Sequence, residues 1–155
     1  MPDDGTAITE WRRSLATEAF NHAWDLIDKT ERTPDEEREM IVLAAASRYL
    51  WEAVGGDEQL MVGDWQIAHV LSLLGDGSQA VGFATEALRR TEANGWGDWR
   101  LASALEGVAR AHAARGDAAQ RDRYAAMCRA ALAGIEDAEE RDLIASQLTS
   151  VPGIQ

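Results

Sequence analysis

The stretch Val70-Leu71-Ser72-Leu73-Leu74-Gly75-Asp76-Gly77-Ser78 decides how this chain folds. An apolar run ends at a glycine, and an aspartate follows. Glycine adopts the left-handed conformation that closes a helix, and the aspartate accepts the free N–H groups that open the next one. The same pair recurs as Gly56-Asp57 and Gly116-Asp117, each between Ala-rich stretches with helical periodicity. With 3 prolines in 155 residues and no strand-like alternation, the chain reads as all-α, an antiparallel array of about seven helices.

Working outward, apolar residues at steps of three and four predict a first helix over 9–28, carrying Ile8, Trp11, Leu15, Ala19, His22 and Leu26 on one stripe. Thr33-Pro34-Asp35-Glu36 is a capping sequence that opens a second helix ending near Val54. Further helices are expected over 58–74, 78–93, 99–115, 118–134 and 138–149. The links are only a few residues long, so successive helices must be antiparallel neighbours. Residues 1–8 are expected to be a flexible lead and 151–155 a frayed tail, leaving one domain over 9–150.

Composition restricts the partners. The net charge is −12, and only Arg12-Arg13 and Arg89-Arg90 are adjacent basic pairs. Nucleic acid and anionic membrane are therefore not expected as partners. No apolar run approaches the ~18 residues of a membrane span. Met1 to Thr6 is polar and acidic, unlike a signal peptide, so the expected location is cytoplasmic. Cys128 stands alone, which rules out an intrachain disulfide and favours a small packed residue.

The marks at Gly75 and Gly116 align two helix–turn–helix units, 57–94 and 98–135, at a spacing of 41 residues. Around the first turn, Ala68, Ala80 and Ala87 are the small residues that let antiparallel helices approach. In the second unit Ala109 and Cys128 match two of them, and Arg121 replaces the third. This pattern resembles the tetratricopeptide repeat, whose period is about 34 residues. The excess falls between the units, over 92–98. The stretches Ala46-Ser47-Arg48-Tyr49 and Asp64-Trp65-Gln66-Ile67, followed by Leu74-Gly75, are similar to a group of short bacterial repeat proteins with no assigned activity. The resemblance implies a right-handed superhelical stack whose concave face binds protein segments.

Arg48 shares a stripe with Ile41, Ala44 and Trp51, and Asp64 shares one with Leu60, Ile67 and Leu71. Both lie at similar heights from the Gly55-Gly56 turn, which predicts an ion pair between consecutive helices, with a structural, a groove or a catalytic role in that order. Trp11, Trp24 and Trp51 read as core. Trp65, Trp96 and Trp99 read either as wedges between helix pairs or as a recognition surface. The groove residues expected on inward stripes are Arg48, Asp64, Trp65, Trp99 and Glu106.

No phosphate loop, dinucleotide fingerprint or Gly-x-Ser-x-Gly elbow is present, so no catalytic residue or cofactor is assigned. His22, His69 and His112 fall on three different helices without a short-range ligand motif, and no metal is assigned to them. The leading expectation is a non-catalytic adaptor for a protein or peptide partner, one with basic residues to suit the acidic chain. A homodimer joined through the first helix is the alternative. A small helical metal enzyme using the histidines with Asp64 or Glu106 comes third.

Overall fold

The computed structural model describes residues 4–155, which form seven α-helices and no strand among the described residues. They are α1 (Asp4–Ile27), α2 (Pro34–Val54), α3 (Asp57–Leu73), α4 (Gly77–Ala93), α5 (Trp99–Arg115), α6 (Ala118–Leu132) and α7 (Ala138–Thr149). The expected all-α antiparallel array is the observed architecture.

Two of the three glycine turns are built alike. Gly75 has φ 81°, the Asp76 N–H donates to Leu71 O at 2.9 Å, and the Gly75 N–H donates to Ser72 O at 3.2 Å. At Gly116, with φ 84°, Asp117 and Gly116 donate to His112 O and Ala113 O at 2.9 and 3.1 Å. This is the closure a left-handed glycine permits. Asp76 and Asp117 then accept the N–H groups of Gln79 and Gln120, opening α4 and α6. Gly56-Asp57 differs. Gly56 is extended and takes the cap position itself, while Asp57 lies in the first turn of α3 and pairs with Arg90 at 2.8 Å. Two consecutive glycines make that turn without a left-handed residue. The capping box at Thr33 forms as the sequence implies, with Glu36 N–H on Thr33 Oγ1 and Thr33 N–H on Glu36 Oε2.

Both ends depart from expectation. Residues 1–3 of the expected flexible lead lie outside the described residues, and 4–8 belong to α1, where the Thr9 hydroxyl donates to Gly5 O. The tail is not frayed. Val151 is buried in the core and Ile154 packs against it. Arg121 reaches Pro152 O, and Arg129 reaches Gln155 O at 3.1 Å. Arg121 thus interrupts the small-residue pattern because it holds the chain end.

The pairs α1–α2, α3–α4 and α5–α6 pack as hairpins, with α3 also against α5 and α5 against α7. This places α3 and α5 at the centre. Met61, residues 63–71 and residues 102–111 are all buried. Ala68, Ala80, Ala87, Ala109 and Cys128 are at most 1% exposed, so the small residues do lie where helices meet. The Cys128 thiol donates to Ala102 O, and burial pushes its pKa up to about 12, well away from thiolate chemistry.

Candidate functional site

The odd-numbered helices lay equivalent positions side by side. Trp24, Trp65, Glu106 and Gln147 stand 41 residues apart, one each on α1, α3, α5 and α7. Phe20, Met61 and Leu143 belong to a second such row, and Val62, Ser103 and Ile144 to a third. Apart from Glu106, the residues of these rows line one groove of about 530 Å³, with Trp99 added from α5 and Asp28 and Glu140 from the α1 and α7 sides. Its wall is almost entirely apolar and aromatic. Trp24 and Trp65 meet with ring centroids 5.4 Å apart, and His69 lies edge-on to both.

The polar atom of Trp65 is turned away from this groove. Its indole N–H donates to Glu106 Oε2 at 3.2 Å. Glu106 is fully buried and takes the Arg110 guanidinium at 2.7 Å, while Arg110 also donates to Gln147 O and Ser150 Oγ, both at 2.8 Å. One buried chain of charge-assisted bonds therefore ties α3, α5 and α7 together and orients the indole. Gly107 makes room for it. A Cβ there would sit 2.7 Å from Trp65 Cδ1. Trp99 is steadied from another direction by Arg100, whose guanidinium carbon lies 5.9 Å from the Trp99 ring and 4.4 Å from that of Trp96. Arg100 is itself held by Asp98 at 2.6 Å and Glu58 at 3.0 Å.

Of the five expected groove residues, Trp65 and Trp99 line the groove and Glu106 lies beneath it. Arg48 and Asp64 do not belong to it. They form the expected ion pair, Nε to Oδ1 at 2.8 Å, on the α2–α4 side of α3. There they border a separate depression of about 350 Å³ with Gln79, Gly82, Phe83 and Glu86. Burial raises the Asp64 carboxyl above its usual range against the opposing pull of Arg48. Asp64 faces the wrong side because α3 is buried all round, so an inward stripe on it does not identify which neighbour it meets.

The tryptophans expected in the core are divided. Trp24 is half-buried in the groove wall, and Trp51 is half-buried beside a smaller cleft with Phe20 and Val62. Trp11 is 64% exposed. Its stripe is apolar, but the indole stands on a side of α1 that α2 does not cover, although Tyr49 to Ala53 of α2 lie beside Arg12. The histidines serve separate surroundings. His22 is exposed, His69 is packed on Trp24 and Trp65, and His112 stacks on Tyr124 with centroids 5.7 Å apart. Among the described residues, no group of three His, Cys, Asp or Glu side chains is placed to hold a metal. Met61, Leu143, Gln147 and Arg110 are not singled out by the sequence, and Phe20 reads only as part of the apolar stripe of the first helix. The 41-residue interval, extended backwards and forwards from Trp65, leads to Trp24 and Gln147.

Among the described residues no helix is long and apolar enough to cross a membrane. Compared with known proteins, the chain matches no protein-family model, no curated protein and no solved structure.

Proposed function

We propose that the odd-helix groove binds a segment of a partner protein through one or two apolar side chains flanked by Lys or Arg. The observation that carries this is an apolar cleft of about 530 Å³ walled by Phe20, Trp24, Trp65 and Trp99. Its volume falls within the ~300–1,000 Å³ range of ligand sites, and tryptophan-lined pockets supply most of the binding energy at interfaces. Because the Trp65 N–H is spent on Glu106, the ring offers only its apolar surface to an occupant. Polar anchors would lose their water there without compensation.

The charge of the partner follows from the rim. Asp28 and Glu140 border the groove on the α1 and α7 sides, and the whole chain carries −12. Basic residues beside the anchor are drawn to this field and speed encounter. The tetratricopeptide-like spacing supports the same reading, since one face of such arrays is their usual binding surface.

Panning a random peptide library against the wild type and against Leu143→Arg tests the proposal. Leu143 is 61% exposed on the groove edge, so its replacement leaves the core intact. The wild type should enrich peptides with an aromatic or aliphatic anchor beside Lys or Arg, and Leu143→Arg should not. Equal enrichment on both proteins, or enrichment of acidic peptides, contradicts the proposal.

A further inference from the structure

The apolar stripe of α1 continues past its partner helix. Ser47 Oγ donates to Ala16 O at 2.8 Å, and the Arg13 guanidinium reaches Val54 O, the last residue of α2, at 3.3 Å. Antiparallel packing from Ala16 and Ser47 brings Val54 level with Thr9, so residues 4–8, about one and a half turns or ~7 Å of α1, project beyond α2. No residue from Asp4 to Leu15 is buried, and the first buried one is Ala16. Yet the stripe goes on, with Ile8 49% and Trp11 64% exposed. Gly5, Ile8, Trp11 and Arg12 stand at steps of three and four, and Asp4 is four residues before Ile8.

We infer that the exposed face of α1 over residues 4–12 is covered by the same face of a second copy, the two helices lying antiparallel with Ile8 on the two-fold axis. The sequence of this face is self-complementary about that point. Asp4 and Arg12 are each four residues from Ile8, so antiparallel packing sets Asp4 of one copy against the partner's Arg12, and this happens twice. Gly5 and Trp11 are each three residues from Ile8, so each indole meets a glycine, the one residue without a side chain to obstruct it. Charge matches charge and large matches small under one symmetry operation, as an isologous interface requires. Parallel packing would instead oppose Asp4 to Asp4 and Arg12 to Arg12. Each projecting end then lies beside the last turn of the other copy's α2. Beside Arg12, Tyr49, Leu50, Glu52 and Ala53 border a depression of about 200 Å³ that extends the surface.

The contact is small, two helical turns from each copy, so the dimer is a dynamic one rather than an obligate pair. It leaves the groove open, which lies along the later part of α1 and on α3, α5 and α7.

Sedimentation equilibrium of the full chain across a wide concentration range tests the inference. The wild type should associate reversibly to a dimer. Ile8→Asp and Asp4→Arg should each weaken the dimer at least ~10-fold, by removing the axial contact or opposing like charges. The double exchange Asp4→Arg with Arg12→Asp restores the pairing and should bring affinity back to within ~3-fold of wild type. Leu143→Arg should leave it unchanged. A wild type that stays monomeric at every concentration overturns the inference. So does a dimer that ignores Asp4→Arg, or one that the double exchange fails to rescue.

Discussion

At the residue scale, the buried polar atoms under the groove are the most exacting feature. Glu106 is fully buried and Arg110 is 4% exposed, so each depends on the other. Removing one partner of such a pair leaves an uncompensated charge in the core. Arg110→Ala should therefore cost about 3–5 kcal/mol in urea unfolding, whereas Trp65→Phe, which removes one donor to Glu106, should cost about 1–3 kcal/mol. His69 adds a dependence on pH. Burial, with the Arg110 and Arg32 charges behind it, lowers its pKa from 6.5 to about 3. The unfolded chain then binds the proton more tightly than the fold does. His69 contributes its stability fully above about pH 6.5 and loses it as the pH falls towards 3. Between pH 7 and pH 5 this amounts to about 2 kcal/mol. The wild type should lose that much more stability over the interval than His69→Gln does, as read from urea midpoints at the two pH values.

Helix ends set the scale of the element. The Gly75-Asp76 and Gly116-Asp117 turns share bonds, φ angles and caps, so equivalent substitutions should have equal effects. Asp76→Ala and Asp117→Ala should each cost about 1 kcal/mol, and Gly116→Ala a similar amount through the left-handed backbone. Thermal unfolding of the single variants checks this, and a marked difference between the two aspartates would mean that tertiary packing dominates the caps. These turns were legible in the sequence because their physics is local. A glycine and a short acceptor suffice, whatever lies around them. The ends of the chain were not legible in the same way. The tail after Pro152 is held by Arg121 and Arg129, contacts that span 31 and 26 residues and leave no local mark. Trp11 is exposed for a related reason. Helical periodicity shows that a stripe is apolar but not which part of it a neighbouring helix covers.

For the whole molecule, the groove proposed as the binding surface comes from stacking helix pairs at a constant interval. That interval turns single residues into rows, so Trp24, Trp65, Glu106 and Gln147 become neighbours although no two share a helix. The candidate site was therefore half legible. Trp65, Trp99 and Glu106 could be picked out as unusual residues on inward stripes. Arg48 and Asp64 were equally unusual, but the other face of α3 claims them, and only the packing of α2 and α4 separates the two faces. The acidic rim carries a prediction of its own. Affinity for a basic-flanked peptide should fall as salt rises, because Asp28 and Glu140 act from exposed positions. An affinity independent of salt would confine recognition to the apolar wall.

The most direct measurement uses the indole N–H signals of the tryptophans in a ¹⁵N-labelled sample titrated with a panned peptide. The account predicts that Trp24, Trp65 and Trp99 shift together along one binding curve, that Trp11 stays in place, and that Leu143→Arg abolishes the shifts. Movement of Trp11 with the three groove signals unchanged would contradict it.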